Sequence, residues 1–134
     1  MKRTAIITTS LLAGMLTFGV ATQSSAMVSN GTFELQNGST PSRMIPGVDH
    51  YRFDVDNPSN LRVASQQWSP EGVTGRMTAE LRDGNGNVVA RSHARGSDFI
   101  LDQRLSPGRY TLEVQGGVVS QRTTQQYFLT TELR

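Results

Sequence analysis

The sequence predicts an all-β protein: a signal peptide followed by a single antiparallel β-sandwich, jelly-roll-like, of seven to eight strands. Three observations predict it. Apolar residues recur with a period of two in one short run after another. Between the runs stand Gly, Pro, Asn and Asp clusters that turn a chain for definite conformational reasons. No window of comparable strength has a helical period.

The N-terminus is not part of this pattern. Lys2 and Arg3 precede an apolar run from Ala5 to Val20, and Ser24-Ser25-Ala26 offers small residues at the positions a signal peptidase reads. Cleavage after Ala26 is expected, delivering the product to the periplasm or outside the cell. The strongly apolar core from Leu11 to Val20 is well short of the roughly 20 residues a spanning helix needs, so no stable membrane anchor is expected. The chain has no cysteine, which excludes a lipid-modified Cys, a disulfide and a thiolate metal site.

Removing residues 1–26 changes the charge balance. The 13 Lys and Arg include Lys2 and Arg3, and the leader holds no acid, so 11 Arg remain against 11 Asp and Glu. A net charge of zero with dispersed arginines argues against a nucleic-acid partner, which wants a clustered basic stripe. The remaining stretch of about 108 residues is of ordinary size for one domain. Residues 27–48 form an N-terminal strand and loop, and 49–134 form the sandwich to which they belong.

The elements follow in order. A strand is expected around Thr32 to Leu35, then a Gly-, Ser- and Asn-rich loop. His50 to Asp56 places Tyr51, Phe53 and Val55 on one face and His50, Arg52, Asp54 and Asp56 on the other, the pattern of a sheet with one wet side. Asn57-Pro58-Ser59-Asn60 ends that strand, because Pro cannot donate to a ladder. Leu61 and Val63 continue the inward set, then Met77, Ala79 and Leu81. Asp83-Gly84-Asn85-Gly86-Asn87 supplies residues that accept positive φ, as a tight hairpin into Val88 and Val89 requires. Phe99, Leu101 and Leu105 lead to Pro107-Gly108, which suits the centre of a type II turn with Gly in the left-handed slot. Tyr110, Leu112 and Val114 alternate with Arg109, Thr111 and Glu113, and a last strand carries Tyr127, Leu129 and Leu133.

The order YRFDV, LRV, AELRDGNGNVVARS, DFILDQRLSPGRYTLEVQG and QYFLTTEL resembles the bacterial pre-peptidase C-terminal domain, a small β-sandwich often appended to secreted peptidases. The likeness runs from Asp49 to Leu133 and implies a non-catalytic module. Periplasmic inhibitors of invertebrate-type and goose-type lysozyme are similar sandwiches that present an S-G-x-Y loop to the enzyme cleft. This chain has Ser106-Pro107-Gly108-Arg109-Tyr110, with a proline inserted. That resemblance implies Ser106, Gly108, Arg109 and Tyr110 as the probe, with Arg109 pairing a catalytic carboxylate.

Other candidates come from the residues alone. Asp83, Asn85 and Asn87 are a weak calcium-ligand set, with a single carboxylate and no bidentate Glu at the right distance, and otherwise a hairpin turn. His50 and His93 both fall at polar positions, His93 in the Ser92 to Ser97 loop, and no nucleophile elbow accompanies them. No enzyme and no cofactor are expected. Trp68, the only tryptophan, stands where alternation breaks and a loop begins; it either caps one end of the core or serves as a stacking platform. Phe128, bracketed by Tyr127 and Leu129, falls on the nominally wet face and either covers a hydrophobic edge or belongs to a recognition surface. The expected function is therefore that of an exported binding module for a protein or polysaccharide of the cell envelope. A lysozyme inhibitor is the first alternative, and a structural or stress-related envelope protein the second. Oligomeric state is left open by the sequence.

Overall fold

The computed structural model describes residues 31–45, 47–70, 72, 74–117 and 125–134. The leader and its expected cleavage point lie outside them. Among the described residues eleven strands follow one another: β1 (Gly31–Glu34), β2 (Gly38–Ser39), β3 (Arg43–Ile45), β4 (Gly47–Val55), β5 (Ser59–Trp68), β6 (Met77–Asp83), β7 (Val88–Arg91), β8 (His93–Arg95), β9 (Asp98–Leu105), β10 (Gly108–Gly116) and β11 (Gln125–Leu133). They form two sheets. The first has the order β1-β4-β10-β6-β7, and the second β2-β11-β5-β9-β8 with β3 also paired to β11.

The two sheets enclose one core, built from the inward set that alternation assigns. Tyr51, Phe53 and Val55 of β4, Met77, Ala79 and Leu81 of β6, and Tyr110, Leu112 and Val114 of β10 are buried from one side. Leu61 and Val63 of β5, Phe99, Leu101 and Leu105 of β9, and Tyr127 and Leu129 of β11 are buried from the other. Each large aliphatic or aromatic side chain so buried stabilises the fold by about 1.5–3 kcal/mol relative to an exposed one.

The strands exceed the expected seven to eight because short edge pieces form where a loop is expected. β2 and β3 both lie along the nine-residue β11, with Gly38 and Ser39 opposite Thr131 and Thr130, and Arg43 to Ile45 opposite Tyr127 to Gln125. Two or three residues are too few to display a period, so the backbone ladder decides. In the same way His93 to Arg95, expected as loop, form β8 against β9, closed by a two-residue turn at Gly96 and Ser97 in which Gly96 has φ of 65°. One pair departs from the antiparallel expectation: β1 runs parallel to β4, with Gly31 to Glu34 opposite Asp49 to Arg52.

Most connections cross between sheets, as in a jelly roll. This corrects the reading of Pro107-Gly108. Ser106 and Pro107 carry the chain from β9 in one sheet to β10 in the other, and Gly108 is nearly extended (φ 157°), already paired with Val55. A left-handed Gly is needed for a hairpin, and this is a crossing. The Asp83 to Asn87 turn is a hairpin: Gly86 takes φ of 83°, and Asp83 exchanges backbone bonds with Gly86 and Asn87.

Candidate functional site

The outer face of the second sheet carries the most unusual surface. Trp68 closes β5 and stands opposite Gln126 of β11, which on its other side faces Met44 of β3. These three therefore occupy one cross-strand row. Trp68 is 59% exposed and Met44 38%, two of the three exposed large hydrophobics among the described residues. Phe128 lies two residues beyond Gln126, half-buried and opposite Gln66. Diagonal neighbours of this kind lie roughly 7–8 Å apart, within reach of aromatic side chains. Ala64, Thr130 and Ile100 form the next row inward along the strands.

Alternation does not break before Trp68. It continues with polar residues in the inward places, which is why the sequence reads there as the start of a loop. Ser65 is buried, and its hydroxyl accepts from the Phe99 amide (2.9 Å) and donates to Asp98 Oδ1 (3.0 Å). The Gln67 amide donates to the carbonyls of Gly75 (2.7 Å) and Ser97 (3.0 Å). With Gln67 pinned inward, the period of two turns Trp68 outward. The indole is thus held on the flat sheet face and not over the end of the core.

The opposite outer face is of a different kind. Arg82 pairs with Glu80 (2.8 Å) and Glu113 (3.6 Å), His50 with Glu113 (3.5 Å), Arg91 with Glu80 (3.3 Å) and Arg109 with Asp54 (3.3 Å). Such exposed pairs are each worth under about 1 kcal/mol and describe a solvated surface.

The Ser106 to Tyr110 segment divides in two. Ser106, Pro107, Gly108 and Arg109 are exposed, Arg109 at 83% of its side chain. Tyr110 is buried, stacks on Phe53 with ring centroids 5.7 Å apart, and donates its hydroxyl to the Ser106 carbonyl (2.7 Å). Tyr110 thereby clamps the crossing from within, and Arg109 is the large side chain the segment offers to solvent. In the other turn, Asp83 Oδ1 accepts from the amides of Asn85 (2.9 Å) and Asn87 (3.0 Å), which occupies the one carboxylate oxygen that organises the loop. His50 and His93 lie on different sheets. Among the described residues, no group of three or more His, Cys, Asp or Glu is placed to hold a metal ion.

Sequence reading missed a buried polar cluster at the open edge of the sandwich. Asp49 is only 2% exposed, and its carboxylate accepts from the Gly31 amide (3.1 Å) and the Tyr127 hydroxyl and lies 3.5 Å from Arg43 Nε. The Tyr51 and Tyr127 hydroxyls are 3.0 Å apart. Burial, and then its hydrogen bond to Asp49, push the Tyr127 hydroxyl far above the ordinary tyrosine range; burial raises Tyr51 as well. The Arg43 guanidinium lies 4.1 Å over the Phe33 ring, beside a cavity of about 280 Å³ that Thr40, Pro41 and Tyr51 help to line. The signal was present: Asp49 has the parity of Tyr51, Phe53 and Val55, so alternation alone places its carboxylate inside.

No protein-family model matches the chain. In sequence it is 32% identical over 124 residues to each of two cell surface glycoproteins of Haloarcula hispanica, glycoproteins 1 and 2, a match that takes in 84% of this chain. The chain spans only 11% of the length of these curated relatives. In structure it is similar to the pre-peptidase C-terminal domain of a collagenase from Bacillus anthracis, with a TM-score of 0.57 at 21% identity, covering 78% of this chain and 95% of that one. It is also similar to PliG of Aeromonas hydrophila, a periplasmic inhibitor of g-type lysozyme, with a TM-score of 0.54 at 16% identity, covering 80% of this chain and 99% of that one. The fold of this chain is therefore the two-sheet sandwich of the pre-peptidase C-terminal domain and of PliG, the two resemblances carried by its strand and turn motifs.

Proposed function

We propose that the chain is an exported, non-catalytic binding module of the cell envelope, taking a protein or polysaccharide ligand on the outer face of its second sheet. One observation carries the reading: Trp68 stands exposed on a flat sheet face, in one row with exposed Met44 and diagonal to Phe128. Exposing an indole to water is unfavourable, and an exposed aromatic with further apolar side chains around it on a strand face is the kind of anchor on which a partner docks. A location at the cell surface is supported by the relatives, which are cell surface glycoproteins matched over about a tenth of their length, as a module within a larger protein would be. The test uses the single tryptophan. Isolated cell envelopes are mixed with the protein and sedimented; co-sedimentation that Trp68→Ala abolishes is expected. Equal co-sedimentation of the variant and the parent would refute this face as the site.

A second reading has its own observation. The Ser106 to Arg109 crossing is exposed while Tyr110 holds it rigid from beneath, the geometry an inserting probe needs. Its fold is shared by PliG, an inhibitor of g-type lysozyme. Under this reading Arg109 reaches a carboxylate in the lysozyme cleft, and Arg109→Ala relieves inhibition. Goose-type and invertebrate-type lysozymes that keep full activity at micromolar protein would end it.

A further inference from the structure

We infer that two copies of this chain associate by antiparallel pairing of β9 with β9, centred on Gln103, so that the second sheet runs on from one copy into the next. That sheet has one closed edge and one open one. β11 is covered by β3 at Gln125 to Tyr127, by Thr40 at Leu129, by β2 at Thr130 and Thr131, and by the Asn37 side chain at Leu133. On the far side, β8 covers β9 only from Asp98 to Ile100. Among the described residues no strand continues beyond it, and Leu101 to Leu105 form an uncovered edge. Unpaired backbone groups along such an edge are a template for another strand.

The direction of those groups follows from the ladder. Asn60 exchanges both backbone bonds with Arg134, on the β11 side of β5. Alternation then turns the backbone groups of Leu61 toward β9, and those of its partner Gln103 back toward β5. Asp102 and Arg104 therefore aim their N–H and C=O groups at the open edge. The Gln103 side chain bends over to donate to the Arg104 carbonyl (3.1 Å), which β8 does not reach.

Side-chain pattern decides the occupant. Leu101-Asp102-Gln103-Arg104-Leu105 is self-complementary when read antiparallel. With Gln103 opposite Gln103 of the second copy, Asp102 faces the other copy's Arg104, Arg104 its Asp102, and buried Leu101 its Leu105. Asp102 and Arg104 are exposed on the outer side, where opposite charges set directly across from each other are favourable. Both pairs fall at hydrogen-bonded positions, so each also exchanges its backbone bonds. Registers centred on Asp102 or on Arg104 would set like charges opposite each other. The opening also has the right length. His93 fills the place opposite Ile100, and Pro107, with no N–H to give, stands just past the end of the segment. Five residues a side make a small contact, so the association belongs to the weak class that forms at high local concentration. The two-fold axis is normal to the sheet and leaves both Trp68 side chains on one side of it; the pairing itself does not depend on what that face binds.

The test is sedimentation of the full chain from micromolar to millimolar protein, where a shift from monomer to dimer is expected. Asp102→Arg and Arg104→Asp each set like charges opposite one another in both pairs, and each should weaken the dimer about tenfold. The double exchange should recover most of that loss. Arg104→Pro removes an edge donor at a position where proline is tolerated, so it should abolish the dimer with an unchanged circular dichroism spectrum. Gln103→Cys places the one thiol of a cysteine-free chain on the axis. A non-hydrogen-bonded pair brings its Cα atoms to about 4.5 Å, within reach of a disulfide, so oxidation should yield a covalent dimer. Asn85→Cys, in an exposed turn, should stay monomeric under the same conditions. A chain that is monomeric at every concentration overturns the pairing. So does a dimer indifferent to the charge reversals and to Arg104→Pro, or one that Gln103→Cys fails to trap.

Discussion

Replacing Tyr127 with Phe removes a single oxygen from the interior, and the cost follows from what that oxygen joins. In the parent it donates to the Asp49 carboxylate and lies 3.0 Å from the Tyr51 hydroxyl. Asp49 is 2% exposed, so water does not replace the lost donor easily. A hydrogen bond to a charged acceptor contributes about 1.5–3 kcal/mol, and the Tyr51 hydroxyl, left without its neighbour, adds about 1 kcal/mol more. The expected loss is about 3 kcal/mol. For a domain of this size each kcal/mol lowers Tm by roughly 4 °C, so Tyr127→Phe should melt about 12 °C below the parent, by calorimetry or circular dichroism. Tyr51→Phe is the internal control. It deletes the outer hydroxyl but leaves the Tyr127 to Asp49 bond intact, so it should cost about 1 kcal/mol. The double variant should cost less than the sum of the two, because both single changes delete the same contact between the two hydroxyls and the sum counts it twice. A Tyr127→Phe protein melting within about 3 °C of the parent, or strict additivity in the cycle, would refute the view that this cluster is a coupled element of the core.

The same tyrosines set an alkaline limit. Both are raised above their ordinary value near 10 when folded, so above that pH the unfolded chain releases protons that the folded chain retains, and stability falls as pH rises. About 1.4 kcal/mol should be lost through Tyr127 by pH 11, with a further loss through Tyr51, visible in chemical denaturation; a flat profile between pH 9 and 11 would contradict the burial of these hydroxyls. Gly75→Ala should be damaging for a local reason: a methyl group there runs into the Gly117 carbonyl, a backbone group, and Gln67 bonds the Gly75 carbonyl. An overpacking cost of about 1–3 kcal/mol is expected, and a variant as stable as the parent would show that the backbone yields. Asp83→Ala deletes the acceptor of two turn amides and should cost about 1 kcal/mol, or about 4 °C in Tm, whereas Arg109→Ala, whose pair with Asp54 is exposed, should cost next to nothing.

Legibility of the fold tracked the length of each run. β4, β5, β6, β9, β10 and β11 have seven to ten residues, enough for several periods, and their inward sets are those that alternation assigns. β2, β3 and β8 have two or three residues and exist because a longer neighbour offers unpaired backbone groups. Nothing in their side chains announces that. The parallel pairing of β1 with β4 is likewise decided by where the chain enters, since the alternation of Phe33 with Thr32 and Glu34 suits either direction.

The candidate site was legible in its residues and not in their assembly. Trp68 and Phe128 stand out singly, one as the lone indole and the other as an aromatic out of phase with its neighbours. What joins them is a register: Gln126 opposite Trp68 fixes Phe128 opposite Gln66, and β3 then brings Met44 to the same row. Shifting β11 by one residue against β5 would send Tyr127 and Leu129 to the surface and bury Phe128. The Tyr127 hydroxyl on Asp49 opposes that slip, because its bond would be lost with it. The Tyr127 to Asp49 bond therefore has a consequence beyond stability: it favours the register of β11 that gathers Met44, Trp68 and Phe128 on one face. On this argument a variant that loosens the inner cluster, such as Tyr127→Phe, leaves the three surface side chains untouched yet lowers ligand affinity on the Trp68 face. The Asp83→Ala variant, destabilised elsewhere, does not.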